Sequence, residues 1–161
     1  MTYKTSLDKT AIVITSAVTI MFAVVIGGQY VFMTDHGLGG AFYTTVACVL
    51  IYLLAFAFRP VKYIVTGEEI IVVRLLVDVH LKRSDFQTVE LVERGETSGS
   101  IRILGVGGLF GYYGSFANFS LGRMTWYATR RDKQVLIYTK DKKKIVVTPN
   151  DPEGFVAELC F

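Results

Sequence analysis

Two long uncharged apolar stretches occupy the first third of the chain, and short apolar segments broken by turn residues fill the rest. No charged residue falls between Lys9 and Asp35, and none between His36 and Arg59. Both runs reach the roughly 20 helical residues that cross a hydrocarbon core ~30 Å thick. The pattern predicts helices over about 10–33 and 38–58, joined through a turn at Thr34 to Gly40. Neither run has the polar stripe of a helix lying on a globular protein. A cleaved signal peptide is the competing reading of the first run, with Lys4 and Lys9 as its charged start. The run is longer than the usual core of ~7–15 residues and a second run follows at once, so a hairpin in the membrane is the expected form.

Lysine and arginine orient that hairpin. Lys4 and Lys9 precede it, Arg59 and Lys62 follow it, and the connecting turn has neither residue type. Basic flanks stay cytoplasmic, so both termini are expected on the cytoplasmic side of the membrane. Tyr30, Phe32, Phe42, Tyr43, Phe56 and Phe58 stand near the expected helix ends, as interfacial aromatics or as lipid-facing filler.

After Arg59-Pro60 the pattern turns to β-branched and aromatic segments separated by turn signals, which divides the chain into a hairpin, 1–58, and a β domain, 59–161. Val61 to Thr66 and Glu69 to Leu76 read as a β-hairpin around Gly67-Glu68, and Val79 to Lys82 and Phe86 to Glu93 as two strands around Ser84-Asp85. Arg94 to Ser100 reads as a polar turn. Arg123 to Thr129, Lys133 to Thr139 and Lys144 to Thr148 read as a meander. At the end, Asp151-Pro152 gives an N-cap followed by proline at the first helical position, and Phe155 and Leu159 fall on one face of the helix that follows. About seven antiparallel strands closed by one helix describe a bent sheet or open barrel with a helical plug.

Two stretches carry a family resemblance. One runs from Arg102 to Phe116 (Arg-Ile-Leu-Gly-Val-Gly-Gly-Leu-Phe-Gly-Tyr-Tyr-Gly-Ser-Phe) and on through Leu121 to Thr129; the other runs from Val146 to Phe155 (Val-Val-Thr-Pro-Asn-Asp-Pro-Glu-Gly-Phe). They resemble the bacterial pleckstrin-homology-like (PH) domains, in particular a membrane-anchored branch with one or two N-terminal helices. The resemblance implies a seven-stranded bent sheet capped by the C-terminal helix. It implies no activity, because the family is defined by its fold.

The chain carries little that points to reaction chemistry. The glycines from Gly105 to Gly111 fit neither G-x-G-x-x-G nor the phosphate-loop spacing, and no amphipathic helix follows them. They read as backbone geometry in a wide loop. His36 and His80 fall on opposite sides of the expected bilayer, and no Cys-x-x-Cys or His-x-x-x-His spacing supplies a zinc ligand set. Ser98, Ser100 and Ser115 have no base beside them in sequence. Cys48 and Cys160 read as packing residues in a reducing compartment. No catalytic, cofactor or metal site is expected, and an enzyme is the weakest of the readings.

Charge is the uneven feature. Eight basic residues stand between Arg123 and Lys144 against Asp132 and Asp141, within a chain of net charge +3. If 133–139 is one strand, the turns at Arg130-Arg131 and at Lys140 to Lys144 lie at opposite ends of it, about 23 Å apart. That is well beyond the ~8 Å Debye length, so they act separately and at most one can face a bilayer. Lys140, Lys142, Lys143 and Lys144 are the candidates for anionic lipid, against the reading of a solvated turn. Between Leu109 and Phe119 the chain concentrates Leu109, Phe110, Tyr112, Tyr113, Phe116 and Phe119 without a charge. This segment is the candidate interaction surface, and internal packing is its alternative. The expected function is a membrane-tethered interaction or scaffold module, partnered by the bilayer and by another protein or a second copy. A regulatory domain for anionic lipid headgroups is the alternative, and nucleic acid is not expected.

Overall fold

The computed structural model describes residues 1–32, 39–92 and 95–159, Phe32 by its backbone alone. Thr34 to Leu38 with His36, the end of the expected strand at Glu93, Arg94, and Cys160 lie outside the described residues.

Two helices, α1 (Lys9–Phe32) and α2 (Gly39–Ala57), form the hairpin. Their mean hydropathy reaches 2.3 and 2.0, and each is long and apolar enough to cross a membrane. Their side chains are largely exposed. A core helix of a soluble protein would be covered instead, so this exposed apolar surface suggests membrane association. The helices meet through a hydrogen bond of 2.8 Å between the Thr19 and Tyr52 hydroxyls and through the Phe22 and Tyr52 rings, 6.2 Å between centroids.

The rest of the chain builds two sheets. The first has the order β1-β2-β3-β4, all antiparallel: β1 (Thr2–Lys4), β2 (Lys62–Val65), β3 (Glu69–Val73) and β4 (Val79–Lys82). A short 3₁₀ turn, Arg83–Asp85, leads into the second. Its order is β5-β9-β10-β8-β7-β6, from β5 (Phe86–Leu91), β6 (Ile101–Gly107), β7 (Tyr112–Asn118), β8 (Gly122–Ala128), β9 (Val135–Thr139) and β10 (Lys144–Val147). Helix α3 (Pro152–Leu159) closes the domain.

Several expectations need correction. Ten strands are present among the described residues instead of about seven, and they form two sheets instead of one. The last three strands are not a meander. Strand β10 inserts between β9 and β8 and runs parallel to β8, with Ile145 opposite Thr125 and Val147 opposite Tyr127. The glycine run from Gly105 to Gly111 is not a wide loop either, because Gly105 and Gly107 lie in β6, paired with β7, and β7 begins at Tyr112. Gly105 faces Gly114 inside the β6–β7 pair, and a Cβ on either would overlap the carbonyl oxygen of the opposite strand. These two glycines let two backbones touch.

Strands β9 and β10 are buried on both faces, which explains their near-continuous apolar runs. Val135, Ile137, Ile145 and Val147 join Tyr63, Val65, Ile70, Val72 and Phe155 in the core between the sheets and α3. Leu136 and Val146 point the other way, toward Tyr112, Phe116, Met124, Trp126 and Ala11 of α1. Asp151 caps α3 by accepting the Gly154 N–H at 3.0 Å, and Phe155 is fully buried against Tyr3 and Tyr63. The buried Tyr63 hydroxyl donates to the Tyr127 carbonyl and accepts the Thr148 N–H, and burial pushes its pKa up to about 12.

Candidate functional site at the junction of helices and β domain

The β6–β7 turn, Gly108 to Gly111, docks beside the hairpin. Gly108 and Gly111 adopt φ of 125° and 131°, and Phe110 itself has φ 57°. A Cβ on Gly108 would come within 2.5 Å of Ile14, so glycine lets the turn press against α1. Thr15 is the matching polar group on the helix. Its hydroxyl accepts the Phe110 N–H at 3.0 Å and reaches the Gly108 carbonyl at 3.4 Å. Thr15 lies six residues beyond Lys9, so the turn extends about 9 Å along α1.

From this turn Phe110 projects into an aromatic cluster on α2. Its ring meets Tyr52 at 5.0 Å and Phe56 at 5.2 Å, edge to face in both cases. The Arg59 guanidinium lies over the Phe56 ring at 4.3 Å. Tyr113 donates its hydroxyl to the Ala55 carbonyl of α2. Burial holds the Tyr113 phenol well above its ordinary pKa, with Arg59 and Arg74 opposing the shift.

Asp8 ties the other helix. Its carboxylate caps α1 through the Ala11 N–H at 2.7 Å, and it also accepts the Arg131 N–H at 2.9 Å and the Tyr112 hydroxyl at 3.3 Å. Burial first, and the Asp8 charge second, push the Tyr112 pKa up to about 12. Arg131 lies over the Tyr112 ring at 4.8 Å. Arg130 donates to Ser6 and pairs with Asp132 at 2.5 Å, which holds that carboxyl below its usual range.

The six aromatic and leucine candidates therefore divide. Phe110 and Tyr113 pack against the hairpin, Tyr112 and Phe116 lie in the core beside Trp126, Leu109 is half-buried, and Phe119 is fully exposed. Phe116 stacks on Trp126 at 4.6 Å. The lysine candidates stand together at the opposite end of the sheet. Strands β8 and β10 point their C-terminal ends at the helices, so the β9–β10 turn with Lys140, Lys142 and Lys143 faces away from them. Lys144 donates to the Leu121 carbonyl and lies near the Tyr138 ring, and Lys143 approaches Asp141 at 3.8 Å.

Asp8, Thr15 and Tyr52 were not among the expected site residues. Asp8 carried a signal, a helix cap directly ahead of an apolar run, whereas Thr15 and Tyr52 are single polar groups with no pattern. Among the described residues no three His, Cys, Asp or Glu side chains are grouped to hold a metal. His80 contacts Glu69 at 3.1 Å on an exposed edge, and Ser115 accepts from Arg123.

Two packed sheets with one capping helix, joined to an apolar hairpin, define a PH-type β module carried by candidate membrane helices. The chain belongs to the bacterial PH domain family: the family model described as Bacterial PH domain matches residues 61–160. No curated protein and no solved structure matches the chain.

Proposed function

We propose that this protein is a membrane-tethered PH module that works by binding, held at the cytoplasmic face of a bacterial inner membrane by its two helices. The observation that carries this reading is the clasp between the domain and both helices. Strand β1 brings the residues ahead of α1 back to β2, with Tyr3 opposite Tyr63, so both ends of the hairpin meet the same sheet pair. Asp8, Thr15, Phe110 and Tyr113 then fix the orientation of the β6–β8 sheet relative to the helix axes. A domain so held keeps one end against the bilayer and offers the other, with Phe119 and the lysine turn, to a protein partner. PH domains commonly bind lipids or proteins, and the remote position of the lysines favours an acidic protein surface over the bilayer as their contact.

Two measurements test the proposal. Single cysteines at Asp35 and Asp141 are labelled from outside intact cells; labelling at Asp141 with protection at Asp35 overturns the orientation. A photo-crosslinking residue at Phe119 in native membranes is expected to give protein adducts, either with a partner or with a second copy. Adducts only with lipid at that position overturn the display of this end away from the bilayer.

A further inference from the structure

A cleft of about 760 Å³ opens between the hairpin and the outer face of β6, β7 and β8. Its helix wall includes Ile14, Val18, Ile51 and Leu54. Val18 lies nine residues into α1 and Ile51 six residues before the end of α2, so the wall extends about 9–14 Å along the helices. If the hairpin spans a bilayer, that wall stands within the hydrocarbon. The sheet wall is bare backbone at Gly105, Gly107 and Gly114, with Val106, Ser115, Thr125 and Tyr127 around them.

Two guanidinium groups border this apolar space, Arg74 at the end of β3 and Arg102 on β6. Among the described residues neither forms an ion pair. Arg74 lies against the Tyr127 ring at 4.9 Å, and its Nε is buried with no hydrogen-bond partner. The Asp78 carboxylate is taken by the Arg74 backbone N–H at 2.8 Å. A buried donor without an acceptor costs free energy until an acceptor arrives. The depth of Arg74 follows from its neighbours. Leu75 donates its N–H to the Ala57 carbonyl at the end of α2, and Leu75, Leu76 and Val77 are all exposed. Three exposed apolar side chains at a helix end suit the boundary between headgroups and hydrocarbon.

We propose that this cleft holds one anionic phospholipid, with an acyl chain along Ile14, Val18, Ile51 and Leu54 and the phosphate between Arg74 and Arg102. The volume falls in the range of small-molecule sites. Guanidinium forks match phosphate oxygens, and the terminal nitrogens of Arg74 and Arg102 are the donors such a phosphate would meet. A peptide strand entering the same cleft would leave backbone polar groups unpaired against the apolar helix wall, which favours a lipid. The proposal rests on the spanning reading of the hairpin and adds to it a site and a ligand class.

The test uses the full chain in detergent micelles, titrated with dioleoyl phosphatidylglycerol or dioleoyl phosphatidylcholine and read by native mass spectrometry for the first bound lipid. The expected result is a preference for phosphatidylglycerol of about tenfold or more, because both lipids offer the same phosphate but two guanidinium groups repel the choline ammonium, and this preference is lost in the Arg74→Gln/Arg102→Gln pair. Leu54→Trp fills the cleft and should weaken both lipids, while Lys142→Gln/Lys143→Gln leaves binding unchanged. Equal affinity for the two lipids in the unmodified chain overturns the site, as does undiminished binding by a folded arginine pair variant. Glycerol phosphate competing as well as the full lipid removes the acyl part of the proposal, and a lipid-free dimer assigns the cleft to a second copy instead. Should the arginine pair fail to fold, the two-lipid comparison and Leu54→Trp still decide. Alkaline carbonate extraction separates the two levels: a chain released from membranes removes the spanning reading, and a chain retained without lipid preference removes only the site.

Discussion

Strands β7 and β8 run between two ends that both carry an aromatic residue in the adjoining turn and have opposite environments. At one end, Tyr112 faces Ala128, and the adjoining turn carries Phe110 into the ring cluster of α2 while Asp8 and Thr15 bind the backbone from α1. At the other, Asn118 faces Gly122, Asn118 Oδ1 accepts the Leu121 N–H at 2.7 Å, and Phe119 stands in the open turn with no cover. An aromatic residue near a hairpin turn thus says nothing by itself about its role. What decides is whether another element arrives to cover it, and here the helices cover one end only.

The strongest way to break this contrast is Phe110→Ala. Removing a buried ring from the α2 cluster should destabilise the intact chain by about 3–5 kcal/mol, measured by denaturant unfolding in detergent. A loss below about 1 kcal/mol would mean that the turn does not hold the domain to the hairpin.

Asp8→Ala removes the α1 cap together with the contacts to Arg131 and Tyr112, and should cost about 1–2 kcal/mol. Asp8→Asn keeps the capping acceptor and is expected to recover much of that loss. Equal losses for the two variants would assign the effect to charge and not to the cap.

Tyr113→Phe sharpens the comparison by deleting one buried hydroxyl and leaving the ring. The Ala55 carbonyl loses its extra donor, and the expected cost is about 1 kcal/mol. Spin labels on α2 and β8 should report a broader distance distribution in the variant if this bond helps to fix the orientation.

At the free end the expected change is smallest. Phe119→Ser, or Lys140→Gln with Lys142→Gln, should leave the unfolding midpoint within about 0.5 kcal/mol of the parent. A larger drop at Phe119 would show that this end is covered in the protein as it exists in detergent, for example by a second copy.

The local patterns were legible in the sequence. Two uncharged runs became α1 and α2, alternation with Gly67-Glu68 between became β2 and β3, and Asp151-Pro152 with Phe155 and Leu159 became a capped helix with Phe155 in the core. Each of these is specified within one stretch, by charge exclusion, by side-chain period or by a cap. Strand β1 was not legible, because Thr2 to Lys4 is only three residues and its partner is some sixty residues away. Strand β6 was obscured by glycines that look like loop residues until Gly105 and Gly114 are seen to face each other.

What the sequence by itself determined is therefore the kind of each part: an apolar hairpin, a β module and a closing helix, since period and composition act over neighbours in the chain. Only the tertiary structure decided how the parts meet. It set β10 between β9 and β8, brought the residues before α1 onto β2, pressed Phe110 against Tyr52 and Phe56, and brought Arg74 and Arg102 to one cleft. These pairings join residues far apart in the chain, and their stability comes from burial and hydrogen bonds that exist only when both partners are in place, so no local pattern records them.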